Sequence, residues 1–201
     1  MRTHTLSVLA ASILFGVAAS AAGVVSGAAA PGFTITDTAG KAVALADYKG
    51  KYVVLEWTNP ECPFVRKHYS SGNMQALQKE WGGRNVVWLS INSTNASHFE
   101  FKTPREMGDW MKAQGAAPAA TLLDSTSGTA RAYGAKTTPH MFVVDPGGTI
   151  IYAGAIDDKR SANPADAKTA NNYVRAALTE AMAGKPVTVA STTPYGCSVK
   201  Y

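Results

Sequence analysis

Cysteine is scarce in this chain. Its 201 residues hold two, Cys62 and Cys197. Three residues after Cys62 stands Val65, so there is no Cys-x-x-Cys pair and no neighbouring thiol to share the chemistry of Cys62. Charge is sparse as well: Asp, Glu, Lys and Arg make up 16% of the residues, and the net charge is +5. The positive residues are scattered, without the basic run that tracks a phosphate backbone, so no nucleic-acid partner is expected. Beyond the first 21 or so residues, no apolar stretch is long enough to span a bilayer.

Those first residues have a layout of their own. A short basic start, Met1 to His4, precedes the apolar stretch LSVLAASILFGVAA and the small residues Ala19-Ser20-Ala21. This is the pattern of a secretory signal peptide over residues 1–21, with Ala28-Ala29-Ala30 as a second possible cut. An uncleaved membrane anchor is the competing reading. The short Ala- and Gly-rich apolar core favours the signal peptide. A periplasmic or secreted protein follows, with no stable membrane association after cleavage. Two cysteines in an exported chain suggest a disulfide. A domain of this size does not need one for stability, so the pair is free to serve chemistry. An inert structural disulfide is the plainer alternative.

From Pro31 onward, strand-like and helix-like pieces alternate. FTITD (33–37) and KAVAL (41–45) read as a hairpin. YVVLEWT (52–58) and VVWLSIN (86–92) are almost wholly apolar and suit central strands buried on both faces. Pro63 opens a helix that pauses at Ser70-Ser71-Gly72 and resumes with Asn73 as its expected N-cap. Thr103-Pro104 starts another. TLLD (121–124) is a strand, STSGTARAYGA a short helix or turn, and MFVVD (141–145) with TIIYAG (149–154) a second hairpin. Asn163-Pro164 is expected to open one long helix, with apolar positions from Ala170 to Met182 recurring every three or four residues. The last segment, 185–201, has no helical period and carries Cys197. The order fits an α/β sandwich with a mixed central sheet: one domain over 31–184, then a C-terminal tail.

Cys62 holds the most informative position. Asn59-Pro60 turns the chain out of a central strand, and Pro63 suits the first helical position, which makes Cys62 the N-cap. Free backbone N–H groups and the positive end of the helix would face its sulfur and favour thiolate. Arg66, four residues on, can add positive charge, while Glu61 opposes it. Glu56 lies inside an apolar strand, where a charge is costly. It is either an outward-facing residue near the strand end or a partly buried carboxyl that relays protons to and from Cys62. Thr138-Pro139-His140 precedes a strand, and the isomer of Pro139 is not legible from sequence. His68 and His98 read as solvated.

PGFTITDTAGKAVALADYKGKYVVLEW, a cysteine at the head of the next helix, Thr-Pro before MFVVDPGGTIIYAG, and a closing helix together resemble the thioredoxin superfamily. More narrowly they resemble its redoxin (AhpC/TSA-type) branch, the peroxiredoxins and secreted thioredoxin-like reductases, over roughly Pro31 to Gly184. NPECPFVRKHYSSGNMQ, TPHMFVVD and YAGAIDD are similar to an uncharacterised peroxiredoxin-like group in that branch. The resemblance implies a thioredoxin-like three-layer sandwich with a central mixed β-sheet, an N-terminal β-hairpin and a C-terminal tail. By position it implies that Cys62 is the redox nucleophile and Pro139 a cis-proline that packs against it and helps hold the substrate backbone. Thr138 and His140 would then lie near the sulfur, and with Arg66 they are the expected substrate-binding residues. Two departures stand out. Val65 replaces the second motif cysteine. The Thr or Ser that peroxiredoxins place three residues before their cysteine is here Thr58, four before, and their upstream Pro is Leu55.

Cys197, in Pro194-Tyr195-Gly196-Cys197, is the candidate resolving thiol, because a sulfenic acid or mixed disulfide on Cys62 needs a second thiol to release it. Peroxiredoxins often keep such a thiol in their C-terminal part. A permanent staple, two unpaired thiols and intermolecular bonds stay open. The reading is an exported thiol-disulfide oxidoreductase or peroxiredoxin-like antioxidant protein, monomeric or homodimeric. Cys62, Cys197 and Glu56 carry the chemistry, a thiol or disulfide protein or a peroxide is the substrate, an external donor supplies electrons, and no cofactor is needed. The rival from another class is a non-enzymatic copper or haem-maturation chaperone. It would hold metal on a soft Cys62, His140 and Cys197 set, although that spacing is no recognised metal motif.

Overall fold

The computed structural model describes residues 24–201, so the signal peptide expected over residues 1–21 lies outside the described residues. Its centre is a five-stranded sheet in the order β5-β4-β3-β7-β8. Strands β3 (Tyr52–Trp57), β4 (Val86–Asn92) and β5 (Ala120–Leu123) run parallel. Strands β7 (His140–Val144) and β8 (Ile150–Gly154) close the other side as an antiparallel hairpin, with β7 antiparallel to β3. Every residue of β4 is buried, as are all of β3 after Tyr52, which is why both read as unbroken apolar runs.

Alternation along β3 divides the core in two. Val54 faces a cluster with Val65 and Tyr69 of α1 (Pro63–Ser70), Leu77 and Trp81 of α2 (Asn73–Gly82), Met107 of α3 (Pro104–Ala113) and Leu178 of α5 (Tyr173–Met182). Val53, Leu55 and Trp57 face the opposite cluster. There they meet Ile35 and Val43 of the hairpin β1 (Thr34–Thr36) and β2 (Ala42–Ala44), and Tyr133 of α4 (Gly128–Tyr133). Helices, sheet, and hairpin with α4 make the three layers of an α/β thioredoxin-like sandwich.

Two expectations need correction. Asn73 is not the N-cap of α2. Gly72 is, in the left-handed region at φ 76°, and the Asn73 amide turns instead to His68 Nδ1 at 2.9 Å. The single helix expected from Asn163 is broken. A 3-10 turn over Pro164–Lys168 ends, and Asn172 caps α5 by accepting from Arg175 N at 2.8 Å. The break is held by Asn171, whose backbone and side-chain nitrogens both bond Asp158, at 3.0 and 2.7 Å. These polar bonds outcompete continued helix.

The C-terminal segment is built into the domain. Ala153 donates to Ala190 O at 3.1 Å and accepts from Thr192 N at 3.1 Å, so the chain runs along the free edge of β8. It passes close enough that a Cβ on Gly154 would meet the Thr192 carbonyl oxygen at 2.5 Å. The strand β9 (Cys197–Ser198) then pairs antiparallel with β6 (Thr137–Thr138), Cys197 opposite Thr138. Tyr195 and Val199 are buried in the two clusters, one on each side of the sheet. At the other end, Gly27 and Ala28 bond Ile150 at 2.8 and 2.9 Å. A cut after Ala30 would remove that strand contact.

Candidate functional site

β3 ends at Trp57, and Thr58 to Glu61 turn the chain so that Cys62 N donates to Asn59 O at 3.1 Å. The Asn59 carboxamide tightens the turn by accepting from Glu61 N at 2.9 Å. Cys62 is the N-cap of α1, in extended conformation, with Pro63 in the first helical turn. Its sulfur does not bond the helix N–H groups as expected from its place. The thiol donates across to Thr138 O at 2.9 Å. A thiol has a proton to give and a carbonyl can take it, whereas helix N–H groups can serve only as donors. The Thr138-Pro139 peptide is cis.

Cys197 completes the site. Both cysteines are free thiols, with Cys62 buried and Cys197 half-buried. Pairing with Thr138 brings Cys197 to the same carbonyl-bearing residue that receives the Cys62 proton. The Cys197 thiol is pushed up to about 12, by burial first and then by its hydrogen bond to Cys62 and the charge there. Gly196 makes the approach possible. Its φ is +141°, and a Cβ there would stand 2.0 Å from Thr138 O. Only glycine lets the tail lie flat on the cis peptide.

The remaining expected residues divide. Arg66 does not cover the sulfur. Its guanidinium folds back on Pro60 O at 2.7 Å and Glu61 Oε2 at 2.5 Å. Glu61 also binds Lys102 at 2.8 Å, and that hydrogen bond foremost holds its carboxyl below the usual range. His140 lies on the wrong face. It pairs with Trp57 on the far side of the sheet, its ring packs on Phe142 with centroids 4.4 Å apart, and its Nδ1 accepts from Lys136 N at 3.2 Å. The expectation that His140 borders Cys62 therefore fails, because residues before and after a strand position alternate faces. The Cys62, Cys197, His140 metal set fails with it. Among the described residues no group of three or more His, Cys, Asp or Glu side chains is placed to hold a metal ion.

Glu56 is fully buried, so the outward-facing reading is wrong. Burial raises its carboxyl above the usual range in spite of four hydrogen-bond donors. Tyr69 OH lies at 2.9 Å, Trp88 Nε1 at 2.8 Å, Ser90 Oγ at 2.9 Å and Gln78 Nε2 at 3.4 Å. These partners come from α1, α2 and β4, not from the Cys62 turn.

Sequence reasoning missed a second buried polar cluster beside the thiols. Lys67 and His68 of α1 have fully buried side chains, which overturns the solvated reading of His68. Lys67 Nζ donates to Lys159 O at 2.6 Å and Tyr195 OH at 3.2 Å, and lies 3.5 Å from Asp157 Oδ2. The hydroxyl of Tyr195 also donates to Asp157 Oδ1. Three consecutive buried residues, Lys67 to Tyr69, hide from a helical-period reading because α1 is covered on two sides. The one available signal was Tyr195 itself, an aromatic two residues before the tail cysteine.

Two buried imidazoles predict a pH response. Burial foremost lowers His68 and His140 from 6.5 to about 3. Each is neutral in the fold but takes a proton in the unfolded chain below about 6.5, so their stabilisation is present above that pH and is lost as the pH falls toward 3. At pH 5 the loss is about 2 kcal/mol for each. Glu56, shifted upward, works oppositely and returns part of it. Urea unfolding should therefore give lower stability at pH 5 than at pH 7.5. Equal stability at both would mean that the rings are not neutral in the fold.

A cysteine at the head of the helix after the central strand, a cis-proline facing it and a mixed five-stranded sheet define a thioredoxin-like redoxin. The chain belongs to the AhpC/TSA family, whose sequence profile matches residues 26–153. It is similar to the crystal structure of an uncharacterized conserved protein from Geobacillus kaustophilus, with 29% identity over 88% of this chain and 92% of that one, at a TM-score of 0.78. It is also similar to a hypothetical protein, SMc02350, from Sinorhizobium meliloti 1021, at 26% identity, 89% and 95% coverage and a TM-score of 0.76. The thioredoxin domain of a thiol-disulfide oxidoreductase from Bacteroides vulgatus shares the fold, at 22% identity, 65% and 88% coverage and a TM-score of 0.53. No curated protein matches the chain.

Proposed function

We propose that the protein is an exported thiol-disulfide oxidoreductase in which Cys62 attacks and Cys197 resolves. One observation carries this: two free thiols meet at Thr138, one hydrogen-bonded to its carbonyl and the other paired with it in a β-ladder. The Cys62 thiolate attacks a partner disulfide, forms a mixed disulfide and releases one thiolate. Cys197 loses its proton and attacks the Cys62 sulfur, which forms the Cys62–Cys197 bond and releases the second thiolate. The two protons lost by the cysteines balance the two taken up by the leaving thiolates, and an external dithiol reverses the cycle. Thr138 and the cis-Pro139 hold the partner's backbone when the tail yields. Because Cys62 is 1% exposed, the two-residue β9 ladder must open for a protein disulfide to reach it. A ladder that short opens readily.

The test is peptide mapping without reductant after mild oxidation by glutathione disulfide. A linked Cys62–Cys197 peptide is expected. If the two cysteines never pair, the two-thiol mechanism is wrong. Hydrogen peroxide supplies the second arm. Oxidation of Cys62 no faster than that of free cysteine leaves disulfide exchange as the activity, whereas a much faster reaction would assign a peroxidase.

A further inference from the structure

The buried cluster formed by Lys67, His68, Asp157 and Tyr195 joins the two segments that carry the thiols. Lys67 and His68 follow Cys62 on α1, Tyr195 precedes Cys197 by two residues, and Asp157 lies just past β8. All four side chains are enclosed. The bonds are directional. The Asn73 amide nitrogen faces His68 Nδ1 at 2.9 Å, so Nδ1 accepts and the ring proton sits on Nε2. Nε2 lies 3.4 Å from the Tyr195 oxygen, which also receives Lys67 Nζ at 3.2 Å. With its own proton given to Asp157 Oδ1, the phenol uses its one donor and both acceptor sites. His68 Nε2 is also 3.9 Å from Asp157 Oδ2, but a neutral ring makes that contact no ion pair. Oδ2 makes no hydrogen bond and is held by the Lys67 charge at 3.5 Å. Phe64, one turn before, packs its ring edge-on against Tyr195 with centroids 5.8 Å apart.

Burying a lysine with an aspartate is a weak way to gain stability. An apolar set of the same volume often does as well or better, because both ions lose their water. What such a cluster offers is a unique geometry. Here the geometry fixed is that of Tyr195 on α1. From Tyr195 the chain has one residue, Gly196, pressed on the Thr138 carbonyl, before Cys197. Lys67, His68 and Asp157 thus hold one end of a short lever whose other end is the second thiol.

We propose that Tyr195, clasped by Lys67, His68 and Asp157, is the positioning residue that registers Cys197 against Cys62 and keeps the tail closed over it. This rests on the two-thiol reading above. It makes a demand that stability alone does not: loosening the clasp should move two thiol reactions in opposite directions. Cys197 would be less often in place to resolve a mixed disulfide, and Cys62 would be more often open to attack by an outside reagent.

The experiment uses the full folded domain with Tyr195→Phe, which keeps the ring against Phe64 and deletes only the hydroxyl. In glutathione redox buffers, the ratio of the Cys62–Cys197 disulfide to the Cys62–glutathione mixed disulfide gives the effective concentration of Cys197. It is expected to fall by ~10-fold or more. Labelling of reduced Cys62 by a small aromatic disulfide, read by mass spectrometry, is expected to speed up. Val86→Ala, buried at the start of β4 and separated from the tail-bearing edge strand β8 by β3 and β7, is the comparison for general destabilisation and should change neither. An unchanged effective concentration in folded Tyr195→Phe overturns the proposal. So do equal changes in Val86→Ala. If Tyr195→Phe does not fold, Asp157→Asn is measured against the same criteria. A native protein that never closes the Cys62–Cys197 bond fails earlier, at the two-thiol reading itself.

Discussion

Cys62→Ser is expected to abolish disulfide exchange, a loss of at least ~10³-fold in turnover, since a serine hydroxyl is not ionised at neutral pH and cannot replace a thiolate. Cys197→Ser should behave differently. The first attack survives, and the reaction stops at a mixed disulfide on Cys62 that accumulates until an outside thiol releases it. The two outcomes follow from the unequal settings of the thiols. Exposure alone would choose Cys197 as the entry point, because it is half-buried while Cys62 is 1% exposed. Ionisation chooses the other way. A thiol pushed up to about 12, by burial first, is almost wholly protonated at neutral pH and is a slow first nucleophile. With Val65 in place of a motif cysteine, no third thiol can mask the block. The measurement is intact mass after a single addition of glutathione disulfide. If Cys62→Ser forms the mixed disulfide readily and Cys197→Ser does not, the roles are reversed and the assignment fails.

The parts of the fold that were legible are those in which a residue's local pattern and its final environment agree. YVVLEWT and VVWLSIN are apolar throughout because both strands are covered on both faces, and the cysteine after the first sits at the helix N-terminus as its Pro63 indicated. The parts that were not legible depend on contacts distant in sequence. The tail reads as a polar coil, yet Tyr195 and Val199 are core residues, and its pairing with Thr137–Thr138 links positions some 60 apart. Lys67 and His68 look solvent-facing until Asp157 and Tyr195 arrive from the far end of the chain. Nearness to Pro139 suggests that His140 borders the sulfur, but a strand sends adjacent side chains to opposite faces, and His140 takes the face of Trp57. Glu56 is conspicuous as a charge in an apolar strand, but its four donors are not legible, since they come from three separate elements.

Those donors set the largest expected effect on stability. Glu56→Ala should cost about 3–5 kcal/mol, read as a lower urea midpoint with unchanged slope. The loss has two sources. The side chain leaves a cavity, and the Tyr69 hydroxyl, Trp88 indole, Ser90 hydroxyl and Gln78 amide lose a shared acceptor in a dry interior, where each unmet donor is costly. Glu56→Gln is expected to cost less, about 1–2 kcal/mol, because one carboxamide oxygen still accepts. Its nitrogen then faces donors where an oxygen stood, so the change cannot be silent. The same pair of variants tests whether this carboxyl also serves Cys62. Burial raises the pH at which it ionises, so a proton exchanged with the sulfur would appear as an inflection in the pH profile of Cys62 labelling, at the Glu56 titration and absent in Glu56→Gln. Since its four partners lie in α1, α2 and β4 rather than in the Cys62 turn, the expected result is a strong stability effect with a profile that Glu56→Gln leaves in shape. Loss of an inflection in that variant would instead place Glu56 in the chemistry. A Glu56→Ala protein as stable as the native one would mean that the four donors find other acceptors.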